Sequence, residues 1–263
     1  MTEQPQPGPD YVQSLARGLS VIKAFDADHP RLTLSEVARR TGLTRAAARR
    51  FLLTLAELGY IGSDEREFSL RPRVLELGYA YLSGLSLPEV AMPHLERLSV
   101  RAHESASVAV LDSDEVVYVA RVPTKRIMTV VIAIGTRFPA YATSLGRVLL
   151  AGQDPQWLDG YLAGVKLRPL TPHTIVDREE LRAELDRVRR QGFALADQQL
   201  EEGLRSMAAP IRDASGAVVA GVNVSAHISR GSGQALHDEL LPLLLDTAAA
   251  IEGDLADIGR ATG

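Results

Sequence analysis

The chain has 263 residues, 29 Lys and Arg against 33 Asp and Glu, a formal net charge of −4, and no cysteine. That length suits about two domains of ordinary size, and the missing cysteines exclude zinc fingers, disulfide frameworks and thiol catalysis. A mildly acidic total argues against a surface coated in nucleic acid but leaves room for one small basic module.

Residues 1–12 contain Pro5, Pro7 and Pro9 among polar residues and read as a flexible arm, not a signal peptide. No apolar run is long enough to span a bilayer, so a soluble cytoplasmic protein without membrane contact is expected. Leu15, Leu19, Ile22 and Phe25 mark an amphipathic helix over residues 14–25, and residues 26–30 a turn.

Residues 32–61 then carry a helix, a tight turn and a second helix. Thr33 and Glu36 fit a capping box, with Leu32 and Val37 placed as a hydrophobic staple. Gly42 is placed to end the first helix with positive φ, Thr44 to cap the second, and Gly59 to end it. Ala48, Phe51, Leu52, Leu55 and Leu58 recur at helical spacing as its buried stripe. Its other side carries Arg45, Arg49 and Arg50, with the small residues Ala46 and Ala47 between them. From residue 31 to residue 56 the charges are Arg31, Arg39, Arg40, Arg45, Arg49 and Arg50 against Glu36 alone. Small residues allow close approach to a groove, and arginine can hold guanine edges or phosphates. The same stretch suits an ordinary helical hairpin with a solvated arginine face, but cap, turn and charge asymmetry together favour DNA. Residues 60–61 and 68–70 are short strand candidates, with Arg66 at the tip between them, either reaching DNA or lying in a solvated turn. Residues 13–71 are thus expected to be a winged helix-turn-helix. Its candidate DNA-binding residues are Thr44, Arg45, Ala46, Ala47, Arg49, Arg50 and Arg66.

Pro72 suits a first helical turn, and Val74, Leu77, Gly78, Tyr81 and Leu85 line one face of a linker helix over residues 72–87. That stripe packs on a neighbouring domain or joins two copies, as an HTH protein reading a two-fold site requires. From residue 88 to residue 260 the pattern is α+β. A helix is expected at 90–103, interrupted at Pro93, then strands at 105–111, 115–122 and 127–134. An irregular loop follows at 135–141, then a helix capped by Thr143, a short helix at 158–162, and a longer one at 178–191 with Asp177 and Glu180 as a capping box and Gly192 as its stop. Strands at 193–198, 206–212 and 218–226 precede a closing helix at 235–258. Strands in two hairpin groups imply a mainly antiparallel sheet with helices packed on it.

No catalytic constellation holds. The six histidines lack metal-ligand spacing, Gly231-Ser232-Gly233 is no nucleophile elbow or dinucleotide fingerprint, and no P-loop occurs; no cofactor or metal is expected. Asn223 and Ser225 alternate with Val222 and Val224 and therefore share a face. With Ser206, Thr143 and Ser144 they line a polar pocket if the 135–143 loop covers that face; otherwise they meet solvent. Arg137, and after it Arg205, are the cations available to an anion there, and Phe138, Tyr141 and Met207 the flat walls available to a ring.

Four segments resemble the IclR family of bacterial transcriptional regulators, over nearly the whole chain. They are LTLSEVARRTGLTRAAARRFLLTLAELGYI, RPRVLELGYAYL, GTRFPAYATSLGRVLLA and QQLEEGLRSMAAPIRDASGAVVAGVNVSAHISR. Residues 45–52, 118–121 and 137–141 resemble the branch that regulates catabolism of aromatic acids such as protocatechuate and 4-hydroxybenzoate. The resemblance implies a GAF-like effector domain, a homodimer or dimer of dimers on double-stranded operator DNA, and a small organic acid as effector. It directs the effector to the loop before the Thr143 helix and to the strands around Ser206 and Asn223 to Ser225. The candidate effector set is therefore Arg137, Tyr141, Thr143, Ser144, Asp197, Arg205, Ser206, Asn223 and Ser225. Some relatives carry cysteine where Ser206 stands and an acidic residue where Ala196 stands; both departures fit an acid other than, or larger than, glyoxylate. Alternatives are a regulator of another carbon source (acetate or glyoxylate, glycerol, a sugar acid), an enzyme fused to a DNA-binding domain, and a winged helix that binds protein.

Overall fold

The computed structural model describes residue 8 and residues 10–26, 28–64, 66–77, 86–124 and 132–261. It divides into two compact units, Met1–Ser83 and Gly84–Gly263.

The first unit contains α1 (Gln13–Ile22), β1 (Arg31–Thr33), α2 (Leu34–Thr41), α3 (Arg45–Glu57), β2 (Ile61–Ser63) and β3 (Glu67–Leu70). The capping box forms: the Thr33 hydroxyl accepts from the Glu36 amide at 3.4 Å, and the Glu36 carboxylate accepts from the Thr33 amide at 2.8 Å. Those bonds hold the Glu36 carboxyl below its ordinary range. Leu32 and Val37, the staple pair, are both buried. Gly42 stops α2 at φ 68°, where a side chain would be strained, and Thr44 caps α3 by accepting from the Ala47 amide at 3.2 Å. Ala48, Leu52 and Leu55 face a core with Val21, Phe25, Val37 and Ile61. Leu58, expected in that stripe, is 51% exposed, because it is the cap residue of α3 and the core ends a turn earlier. β3 pairs with β2 as expected, and also with β1, giving the order β1-β3-β2. Of the expected linker helix, Pro72–Leu75 forms one 3-10 turn and Leu77 is exposed; Gly78, Tyr81 and Leu85 lie outside the described residues.

The second unit is built on a six-stranded antiparallel sheet of β4 (Ser105–Asp112), β5 (Glu115–Val122), β6 (Arg137–Pro139), β7 (Ala194–Asp197), β8 (Leu204–Arg212) and β9 (Val218–His227). Its order is β6-β5-β4-β9-β8-β7, so two hairpins meet at the central β4–β9 pair. Helices α4 (Ser86–Ala102) and α8 (Gly233–Ala261) cover one face with a core of Leu95, Leu98, Val222, Ile211, Leu240 and Leu244. The other face is covered by the 3-10 turn Ala140–Ala142, α5 (Ser144–Ala151), α6 (Pro155–Gly164) and α7 (Arg178–Gln191).

Three expectations shift. The strand expected at 127–134 falls mostly outside the described residues, and residues 132–134 are irregular. The loop expected at 135–141 instead contributes β6, with Arg137 opposite Val117. The short helix is α6, longer than expected, because Asp154 caps it by accepting from the Gln156 and Trp157 amides and Pro155 opens its first turn. In α7 the Asp177 arm of the expected box forms, accepting from the Glu180 amide at 2.9 Å.

Helix α5 is buried along its whole length, and Gly146 is what lets it seat. A Cβ there would lie 2.0 Å from the Ala140 carbonyl oxygen, and a backbone atom cannot step aside as a side-chain tip does. Gly146→Ala should therefore cost about 1–3 kcal/mol as an overpacking defect, read as a lower denaturant midpoint at unchanged slope.

Candidate functional site

In the first unit, the structure sorts the arginines that composition could not. Arg31 holds Asp64 at 2.6 Å and Arg40 holds Asp26 at 2.5 Å, so both are neutralised locally. Arg45, Arg49 and Arg50 are exposed on α3, and their side chains make no ion pair or hydrogen bond among the described residues. Thr44 and Ala46 are exposed beside them, and Ala47 is half-buried. The surface of α3 thus carries unpaired positive charge with small residues between, the requirement for close approach to a phosphate backbone. Arg66 is exposed between β2 and β3, two residues from Asp64, which already holds Arg31.

In the second unit, directly paired residues of an antiparallel ladder share a face. Ser105 lies opposite Ser225 and Ser107 opposite Asn223, while Ser225 lies opposite Ser206. Arg121 lies opposite Ser107. A band of polar side chains therefore runs across the face under α5. Ser206, Asn223 and Ser225 are buried, and line one small void with Thr143, Gln199 and Tyr118. Ser144 reaches the same place through its hydroxyl, 2.9 Å from that of Ser206. Asn223 donates to Ser225 at 3.1 Å, and its carbonyl oxygen is buried with no partner among the described residues. The void is about 10 Å³, room for about one water molecule. A pocket enclosing a small ligand runs to roughly 300 Å³ and more, so a ligand requires the covering residues, among them Leu200 and Ile132, to move.

Four candidates do not come to this place. Arg205 and Asp197 face each other across β7 and β8, and Arg205 pairs in register with Ala226, not with Ser225. They sit on the α8 side of the sheet, as does Met207, because neighbours along a strand alternate faces. Their charges meet at 2.8 Å, and Arg205 also donates to the Gly231 carbonyl. Arg137 stands exposed on edge strand β6, clamped by Asp112 and Glu115 at 2.7 Å each. The Tyr141 hydroxyl is occupied by the backbone of Arg168, donating to its carbonyl and accepting from its amide, each at 3.0 Å. Phe138 packs edge-on against Tyr118 at 5.8 Å, which is itself the aromatic wall of the void.

The sequence reading missed Tyr118, Ser107, Arg121, Gln199 and Arg147. Ser107 and Arg121 alternate with apolar neighbours as Asn223 and Ser225 do, so the signal was present but unweighted. Arg147, 1% exposed, donates to the Tyr141 and Leu195 carbonyls and to the Gln199 side chain, and so fixes a residue that lines the void.

Residues 14–65 match the family described as IclR helix-turn-helix domain, and residues 79–253 match bacterial transcriptional regulator IclR C-terminal. The chain is 48% identical over 238 residues to the Pca regulon regulatory protein of Pseudomonas putida, covering 90% of this chain and 82% of that one. Among solved structures, a transcriptional regulator of Rhodococcus is 61% identical with a TM-score of 0.85, covering 94% of this chain and all of that one. An IclR homolog of Microbacterium hydrocarbonoxydans complexed with 4-hydroxybenzoate is 28% identical with a TM-score of 0.81, covering 92% and 98%.

Proposed function

The chain belongs to the IclR family of bacterial transcriptional regulators, and from that premise we propose that it binds operator DNA through α3 and changes its DNA affinity when an aromatic acid enters the second unit. The observation that carries the acid site is the polar band of Ser206, Asn223 and Ser225, buried under α5 with one carbonyl oxygen left unpaired. A buried polar group without a partner is costly, and a hydroxylated acid supplies one. The likeness to a Pca regulon regulatory protein and to an IclR homolog complexed with 4-hydroxybenzoate supports the aromatic class. The collapsed void supplies the means of regulation. A ligand that fits only an opened conformation shifts the population towards it, and regulates only if the two conformations differ in DNA affinity.

Binding of the protein to its own upstream intergenic DNA, followed by anisotropy with and without 4-hydroxybenzoate or protocatechuate, tests both halves. The expected result is specific DNA binding that the acid alters, together with a raised melting temperature in the acid's presence. DNA affinity and melting temperature both indifferent to every aromatic acid tried would sink the proposal.

The remaining roles follow as parts of the same reading. The protein acts as a homodimer or a dimer of dimers, because two winged helices at fixed spacing are needed for two half-sites. It works in the cytoplasm and regulates rather than catalyses. Residues 13–71 bind DNA, residues 72–87 link, and residues 88–260 receive the effector. Asn223→Ala should weaken acid binding about tenfold, or about 1.4 kcal/mol, with DNA affinity in the absence of acid unchanged. Calorimetric titration checks the first and anisotropy the second.

A further inference from the structure

We propose that Arg121 holds the effector's carboxylate, and that the hydroxyl of a hydroxy acid lies towards Asn223 and Ser225. This rests on reading the polar band as the effector site, and goes beyond it by assigning which residue recognises the charge and which way the ligand points.

The ladder puts Arg121, Ser107 and Asn223 side by side on three adjacent strands, on one face. Arg121 donates through one Nη to the Ser107 hydroxyl at 3.0 Å, while its Nε is buried with no acceptor among the described residues. The other described arginines that are not exposed each hold a carboxylate: Arg147 with Glu184, Arg182 with Asp159, Arg205 with Asp197 and Arg230 with Glu104. Arg121 holds none among the described residues. Burial lowers the guanidinium's proton affinity, and Tyr118 partly offsets this.

The unpaired groups are chemically complementary to one ligand. Arg121 offers an N–H that wants an anion, and a fork suited to a carboxylate. The Asn223 carbonyl oxygen, one strand beyond Ser107, wants a donor, which a hydroxyl supplies. Tyr118 stands on the same strand as Arg121 and lines the void, providing the flat wall a ring needs. A half-buried cation without a counterion disfavours the folded state. The site therefore holds electrostatic free energy that only an anion releases, and a neutral ligand of the same shape gains nothing from it.

The test uses the full chain and two probes of nearly equal shape, 4-hydroxybenzoate and 4-hydroxybenzamide, titrated calorimetrically into wild type and Arg121→Gln. Wild type should prefer the acid by about tenfold or more. In Arg121→Gln the acid should weaken by about tenfold while the amide stays within about threefold, so the preference collapses. The ligand-free melting temperature of Arg121→Gln should be equal to or above that of wild type, because an uncompensated charge has gone. Arg121→Lys, which keeps charge without the fork, should retain part of the preference and serves if the glutamine variant fails to fold. Wild-type acid preference surviving in Arg121→Gln overturns this assignment while leaving the effector site standing. Failure of wild type to bind either probe overturns the site itself, and the assignment with it.

Discussion

Arg49→Ala should lower operator affinity by about 1–3 kcal/mol, roughly five- to 150-fold, if the guanidinium makes a bidentate base contact. The melting temperature should hardly move, because Arg49 is exposed and unpaired among the described residues, and surface changes of that kind stay within about 0.5 kcal/mol. Arg40→Ala is the matched control: Arg40 already holds Asp26, so its loss should cost little on DNA. Salt titration separates the two kinds of contact. Losing a phosphate contact shallows the log–log salt dependence by about 0.9, whereas losing a base contact relaxes sequence preference at a single position. Wild-type affinity in Arg49→Ala would remove α3 from its place as the recognition helix.

The winged helix was legible in detail because its signals are local. A capping box, a positive-φ glycine and a threonine cap each declare themselves within four residues, and Thr33, Glu36, Gly42 and Thr44 all do so. β1 was not legible, since three residues cannot display a period of two. In the effector unit five of the six strands were legible and β6 was not, but their relative register was hidden, and register is what makes a site. Alternation correctly placed Asn223 and Ser225 on one face. It equally forbade Arg205 from joining Ser206, its neighbour in the chain, and nearness in sequence misled there. Arg137 misled for another reason: its segment adds to the sheet edge beside β5, where Asp112 and Glu115 already wait. Arg121 comes into play only through pairing with Ser107, and Ser107 only through pairing with Asn223. The first pairing belongs to a hairpin whose register is shifted by an irregularity between Val108 and Ala109, and the second joins strands separated by about a hundred residues of chain, so spacing alone reads neither.

The largest stability effect is expected at Arg147. Its guanidinium is buried and donates at 3.2 Å to the Tyr141 carbonyl, at 3.4 Å to Glu184 and to the Leu195 carbonyl, and to the Gln199 side chain. One side chain thereby ties the turn before α5, strand β7, helix α7 and the segment that lines the void. Burial pushes its pKa down to about 10, with Glu184 opposing that shift, so it remains charged at neutral pH. Arg147→Ala leaves two carbonyls and the Gln199 oxygen short of a donor and opens a cavity. Glu184 is not stranded, because Arg187 holds it at 2.6 Å, which keeps the loss at the lower end of the range for breaking a buried pair, about 3 kcal/mol. For a unit of this size that is a fall of roughly 6–12 °C in melting temperature. A base whose folded pKa lies below its unfolded value penalises folding fully below the folded pKa, and the penalty fades only as pH rises above it. The difference between wild type and Arg147→Ala should therefore be flat from about pH 5 to pH 9. Gln199, which also accepts from the Ile175 amide at 3.2 Å, loses its stronger anchor, so acid binding should weaken along with stability. Arg147→Lys should recover only part of either, since one ammonium cannot reach acceptors on so many elements. A melting temperature within about 2 °C of wild type in Arg147→Ala, below the shift expected for 1 kcal/mol, would show that the four contacts contribute no more than water does in their place.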